Sequence, residues 1–179
     1  MNILITGTPG CGKTTLSEGI KDRLLEVFPN VNHWNISQIV KRENLHEGYD
    51  KKFDTFILNE DKLLDFLEDS KEFSPSSRLA VNIIDYHCCE LFPESWIDLL
   101  VVLTTDNTTL YDRLAARNYS AIKITENVEC EIMQVVLMEA EDSFEKEKIV
   151  VLENTNQSDL ERNIELVVGK IRDHVNKKT

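Results

Sequence analysis

The stretch Gly7-Thr8-Pro9-Gly10-Cys11-Gly12-Lys13-Thr14-Thr15 decides how the rest of the chain is read. From Gly7 to Thr14 it has the spacing G-x-x-x-x-G-K-[ST]. The apolar run Asn2-Ile3-Leu4-Ile5-Thr6 precedes it, and Leu16, Ile20, Leu24 and Val27 follow at helical spacing. A strand that turns through glycines into a helix aims several backbone N–H groups at one point. The helix dipole adds positive potential there, which suits the dense charge of a polyphosphate. Gly10 and Gly12 allow backbone conformations and a close approach that a Cβ would obstruct. Lys13 then supplies a cation for the outer phosphates, the Thr14 hydroxyl a ligand for Mg²⁺, and Thr15 a further phosphate contact. Cys11 reads as a small residue at a permissive loop position rather than as a redox centre.

Working outward, strand-like and helix-like runs alternate. Pro29 stops the first helix, and Val31 to Ile36 reads as a second strand. Ser37 is positioned to cap a short helix through about Asn44, whereas Gly48-Tyr49-Asp50 and the charged stretch after it read as irregular. Asn59 begins a helix with Leu63, Leu64, Phe66 and Leu67 as its apolar face, and Ser74-Pro75-Ser76-Ser77 is a loop. Leu79 to Ile84, Leu99 to Leu103 and Lys148 to Leu152 complete the strands. Helices are predicted over 106–116, ending near Arg117, and roughly over 126–145, after a polar segment at 118–125. Ser158 is expected to cap a final amphipathic helix through about Val175. The pattern predicts an α/β protein with the three-layer P-loop NTPase fold: a five-stranded parallel sheet with helices on both faces, in one domain over 1–179. Ligands then bind beyond the carboxyl ends of the strands.

Composition narrows the class. The chain has 179 residues, 41% hydrophobic and 29% charged, enough for a core without disulfides or structural metal. A net charge of −12 repels phosphate backbones, so direct nucleic-acid binding is not expected and a basic protein partner suits it better. Cys11, Cys88, Cys89 and Cys130 include no C-x-x-C pair and read as free thiols in a reducing compartment. No basic, apolar leader with a cleavage site precedes the first strand, and the apolar run Leu99 to Leu103 is far too short to span a bilayer. A soluble, intracellular chain with no membrane partner is expected.

Further chemistry gathers at strand and helix ends. Val81-Asn82-Ile83-Ile84-Asp85 delivers one carboxylate at a strand terminus, placed to hold Mg²⁺ with Thr14. His87 follows two residues later and could orient a water or the acceptor, act as acid or base, or be structural. Arg113 and Arg117 share a helix face. Arg113 reads equally as a phosphate contact or as a surface ion pair with Asp112 or Glu126. Arg117, at the helix end beside the polar segment, is the better phosphate ligand, since a planar guanidinium forks onto phosphate. No N-K-x-D motif reads guanine, which favours ATP over GTP. The length leaves no room for the inserted domains of motors or AAA-type machines.

Size and layout resemble nucleoside monophosphate kinases, in which a helical insertion after the second strand binds the acceptor and a lid carries arginines. A closer resemblance rests on a set of motifs: Gly7 to Thr15, Glu47-Gly48-Tyr49-Asp50, Asn59-Glu60-Asp61-Lys62, Asp85-Tyr86-His87, Phe92-Pro93-Glu94, and Tyr111-Asp112-Arg113-Leu114 with Arg117 and Tyr119. As a set these resemble the adenylate kinase isoenzyme 6 family, also called coilin-interacting nuclear ATPase, from residue 2 to about 175. The resemblance implies ATP at Gly10, Cys11, Gly12, Lys13, Thr14 and Thr15, with Arg113, Arg117 and Asn156 alongside. It implies an acceptor-binding region of about 35–58, a short lid of about 116–126, and Asp85 and His87 as residues whose loss hurts activity. It further implies adenylate kinase and ATPase activities, AMP or another nucleoside monophosphate as acceptor, and association with a small-subunit ribosomal protein during 40S maturation, in nucleus and cytoplasm.

This chain also departs from relatives. Ordinary adenylate kinases carry Asp-Gly-Phe-Pro-Arg where it has Asp85-Tyr86-His87-Cys88-Cys89, so the arginine that grips the AMP phosphate is missing there. Family members can have an arginine in the acceptor region where this chain has Lys41, with Arg42 beside it. Lysine neutralises a phosphate but cannot fork onto it, which predicts weaker and less selective AMP capture. Asn156 stands where some relatives have lysine.

Overall fold

The computed structural model describes residues 1–73 and 80–178, with side chains as far as Asn176. Its strands are β1 (Asn2–Gly7), β2 (Val31–Asn35), β3 (His46–Asp50), β4 (Thr55–Leu58), β5 (Val81–Asp85), β6 (Leu99–Thr104) and β7 (Ile149–Glu153). Five of them form one sheet in the order β2-β5-β1-β6-β7, every neighbouring pair parallel. Its helices are α1 (Lys13–Leu25), α2 (Ile36–Arg42), α3 (Glu60–Asp69), α4 (Asn107–Ala116), α5 (Ala121–Ile132), α6 (Val135–Ser143) and α7 (Gln157–Lys178).

The continuous apolar runs are explained by burial on both faces of the sheet. Successive strand residues point to opposite sides. Ile3, Ile5, Ile83, Val101 and Leu103 pack with α1, α4 and α7 through Leu16, Ile20, Leu110, Leu114 and Val167. Leu4, Ile84, Leu100 and Val102 pack the other way, against Ile36 of α2, Leu63 and Leu67 of α3, and Ala140 of α6. The predicted three-layer architecture is therefore the one observed. It brings the carboxyl ends of β1, β5 and β6 together beside the first turn of α1.

Several local expectations are corrected. Asn35, not Ser37, caps α2: its Oδ1 accepts from Gln38 N at 3.0 Å. Asn156, not Ser158, opens α7 by accepting from Asp159 N at 3.0 Å. The segment around Gly48 is not irregular, because β3 and β4 form an antiparallel hairpin. The insertion after β2 is thus one short helix plus a hairpin rather than all helical. The long helix expected over 126–145 is two helices, since Gln134 takes a left-handed φ of 53° between α5 and α6. α5 begins within the segment read as polar loop. Ser74-Pro75-Ser76-Ser77 and Leu79 lie outside the described residues. Among the described residues, no helix is long and apolar enough to cross a membrane.

Candidate active site

The phosphate loop is shaped by its glycines and clamped from outside. Gly10 and Gly12 take φ of 106° and 95°, a region that side chains disfavour. A Cβ on Gly12 would lie 2.5 Å from Asn154 Nδ2, and one on Gly10 would lie 2.6 Å from Leu110 Cδ1. Asn154, buried after β7, donates from Nδ2 to Cys11 O at 2.8 Å. Arg113 donates to Gly10 O at 3.3 Å, to Asn154 O at 3.1 Å and to Thr155 O at 2.8 Å. Its guanidinium thus ties the loop to the turn after β7, instead of pairing with Asp112 or Glu126. Glu131 of α5 holds the loop on another side. It accepts from Thr8 Oγ1 at 2.5 Å, from Cys11 Sγ at 3.6 Å and from Thr105 N at 2.8 Å. Burial and the neighbouring Glu131 push the Cys11 thiol up to about 12, so it stays protonated and has no redox poise.

Lys13 and Thr14 leave the loop in different directions. Lys13 Nζ donates to Gly7 O at 2.7 Å and Thr8 O at 3.2 Å, and burial lowers its pKa. Thr14 Oγ1 donates to Asp85 Oδ2 at 2.5 Å, and Asn35 Nδ2 donates to the same oxygen at 2.8 Å. Asp85 ends β5 and is only 4% exposed. A hydroxyl and one carboxylate are hard oxygen donors, and Mg²⁺ takes few protein ligands, keeping water and phosphate for the rest. Thr14 and Asp85 therefore fit that ion.

Two clefts meet at the loop. One, of about 400 Å³, lies between the loop and α7 and is bordered by Arg113, Arg117, Asn154, Asn156 and Leu160. The other, of about 1140 Å³, runs from Lys13 and Thr14 past Asp85 to Lys41, Phe56 and Lys123. Gly10, Gly12, Thr15 and Arg117 border both. The loop thus sits at the junction of a smaller and a larger lobe.

Comparison with known proteins gives the chain its family. A family model described as an AAA domain matches residues 3–134. The adenylate kinase isoenzyme 6 homolog of Dictyostelium discoideum is 47% identical over 162 residues, covering 90% of this chain and 86% of that protein. The homolog HBR1 of Candida albicans is 43% identical over 171 residues, covering 93% of this chain and 66% of that one. The homolog FAP7 of Saccharomyces cerevisiae is 42% identical, covering 94% and 80%. The chain belongs to the adenylate kinase isoenzyme 6 family. Fold likeness extends to shikimate kinase from Bacteroides thetaiotaomicron, with a TM-score of 0.59, 15% identity and coverage of 96% and 98%. A gluconokinase from Sinorhizobium meliloti gives 0.54, with 13% identity and coverage of 99% and 97%.

Other residues proposed for the adenylate kinase isoenzyme 6 site sort by position. Lys41 borders the larger lobe, with Nζ 5.8 Å from the Phe56 ring centroid. Arg42 does not enter it: its Nε donates to Glu43 Oε1 at 2.6 Å, and the side chain is 67% exposed. On α2 the two residues point in different directions, and only Lys41 faces the cleft. Asn156 rims the smaller lobe while its Oδ1 caps α7. His87 stands at the edge of the larger lobe. Enclosure by the cleft walls pushes its imidazole down to about 4, with Lys13 and Lys123 acting in the same direction and Asp85 opposing them. Its ring remains open to solvent on one side, which limits the effect of burial, and in either case it is neutral at pH 7. Lys123 of α5 carried no sequence signal, yet it donates to Asp54 O at 3.0 Å and lies 4.5 Å from the Tyr119 ring centroid. It joins α5 to the β3–β4 turn at the border of the larger lobe.

Proposed function

We propose that the chain transfers the γ-phosphoryl group of ATP to AMP, giving two ADP, and more slowly to water. One observation carries this reading: the phosphate loop opens onto a second lobe of about 1140 Å³, large enough for another nucleotide. In this reading the adenosine of ATP occupies the smaller lobe beside Asn156, and the acceptor enters past Lys41. Lys13 and Arg117 neutralise charge that spreads over the moving phosphoryl group, whose transfer is mostly a matter of positioning and electrostatics. Thr14 and Asp85 would hold Mg²⁺, which would supply positive charge against the phosphates. Lys41 offers the AMP phosphate a single point charge, so acceptor selection is loose, extending to other nucleoside monophosphates such as CMP and dAMP.

A second reading makes the chain an ATPase assembly factor for the small ribosomal subunit, acting in nucleus and cytoplasm on a basic ribosomal protein. A neutral His87 at the cleft edge supports it, since such a group can accept a hydrogen bond from water and orient it. The net charge of −12 favours encounter with a basic partner. Incubation with Mg-ATP alone, or with AMP, CMP or dAMP, separates the readings by product. ADP formation that ignores every acceptor overturns the kinase reading. ADP formed only with AMP, together with no retention of a small-subunit ribosomal protein at low salt, overturns the second. His87→Ala with unchanged rates in both assays removes that residue from the chemistry.

A further inference from the structure

Asn35 ends β2 and caps α2, and its single carboxamide serves two elements. Oδ1 accepts from Gln38 N at 3.0 Å and so closes the first turn of the helix that carries Lys41. Nδ2 donates to Asp85 Oδ2 at 2.8 Å and lies 3.4 Å from Thr14 Oγ1. Parallel pairing of β2 with β5 sets Asn35 directly beside Asp85, so the backbone dictates this meeting. His33, two residues earlier on β2, brings Nε2 to 3.7 Å from the same carboxylate oxygen. The choice of residue is informative. Serine, threonine and aspartate cap helices as well as asparagine does. Only asparagine among these accepts at the cap with one atom and donates with another, whereas a hydroxyl must do both from one oxygen and an aspartate has no donor. Because the amide is planar, any shift of α2 that moves Oδ1 also moves Nδ2. Ser37 and Lys41 of α2 border the acceptor lobe, so a ligand there bears on the same helix.

We infer that Asn35 is a positioning residue: it orients the Asp85 carboxylate and makes that orientation depend on where the acceptor helix sits. This rests on the reading of Thr14 and Asp85 as the Mg²⁺ ligands and of the larger lobe as the acceptor site. Asparagine at 35 joins acceptor occupancy to the metal side of the donor site through one side chain.

The test separates the two ends of the amide. Asn35→Ser keeps a capping oxygen and loses the separate amide N–H arm that reaches Asp85, since its one shorter hydroxyl stays at the cap, whereas Asn35→Ala loses both. Binding of a non-hydrolysable ATP analogue is measured by calorimetry with Mg²⁺ and with EDTA, alongside thermal denaturation. In the wild type, Mg²⁺ tightens binding, and AMP changes the size of that gain. In N35S the gain shrinks about tenfold, the expected loss for a hydrogen bond to a charged group, and it no longer responds to AMP. Affinity in EDTA and the melting temperature stay at wild-type values. N35A loses the gain and also melts earlier. An N35S gain equal to wild type, or equally responsive to AMP, overturns this inference alone. So does a parallel loss of EDTA affinity and melting temperature in N35S, the mark of a purely structural cap. A wild-type protein with no Mg²⁺ gain overturns the metal reading of Thr14 and Asp85 too. A wild-type gain indifferent to AMP overturns the link to the acceptor helix.

Discussion

The two lobes of the site are held by different means. On the donor side, left-handed glycines fix the loop, and Asn154, Arg113 and Glu131 bind it through partly or fully buried hydrogen bonds. On the acceptor side, the walls are a short helix and a two-stranded hairpin, and Lys41 and Arg42 are exposed. The donor side is preorganised backbone, which loses little freedom when phosphate arrives. The acceptor side relies on long side chains that must be ordered by the ligand, at about 0.5–1.5 kcal/mol each. In the proposed reading, tight and demanding recognition belongs to the donor nucleotide and loose recognition to the acceptor.

Changes on the donor side should do the most damage. Lys13→Ala is expected to lower turnover about 100- to 1000-fold in the product assay, as loss of a positioned charge donor does elsewhere. Retained turnover would remove the phosphate-site assignment. Gly12→Ala forces a Cβ into Asn154 and strains a positive φ, so nucleotide binding should collapse and the melting temperature fall, the strain being about 1–3 kcal/mol. Asn154→Leu leaves the buried Cys11 carbonyl unpaired, costing about 1–3 kcal/mol of stability and loosening ATP binding, both measurable by denaturation and calorimetry. On the acceptor side Lys41→Ala should raise the AMP KM by about three- to tenfold, about 0.7–1.4 kcal/mol and the scale of an ordinary net hydrogen bond, with the ATP KM unchanged. Arg42→Ala should change neither, because its partner is Glu43 on the surface. If Arg42 proves the stronger of the two, the assignment of α2's cleft-facing side is wrong.

The smallest expected effect is on pH dependence. The folded-state pKa of His87, about 4, lies below its ordinary value of 6.5. Between those values the unfolded chain binds more protons than the folded one, so this group removes stability as pH falls through that window. His87→Asn should therefore show a shallower drop in melting temperature from pH 7 to about pH 4.5 than the wild type does. An identical slope would mean that solvent on the open side of the ring cancels the effect of the cleft walls.

What could be read from the sequence follows from how far apart the contacting residues lie. The loop was legible because its conformation demands glycine at fixed spacing, a local constraint. Asp85 was legible because an apolar strand ended in an acid. Glu131 and Asn154 meet the loop across separations of 123 and 143 residues, and no spacing announces such contacts. The β3–β4 hairpin was missed because it is half exposed and lacks an apolar alternation. The division between α5 and α6 falls at Gln134, with no glycine or proline from 126 to 145 to mark it. Arg42 points away from the cleft because adjacent residues on a helix face different ways, and charge alone does not say which one faces it.

That division has a mechanical consequence. Ile124 and Val128 of α5 pack in the core on one face of the sheet, Cys130 and the α6 residues Val136 and Ala140 pack on the other, and the chain turns at Gln134. α5 is like a beam built in at one end, where Glu131 fastens it to Thr8 and Thr105. Near its other end Ile124 is buried in the core, and Lys123 reaches the Asp54 carbonyl through an exposed hydrogen bond. One helix thus ties the phosphate loop to the β3–β4 turn, so α5 spans two walls of the larger cleft.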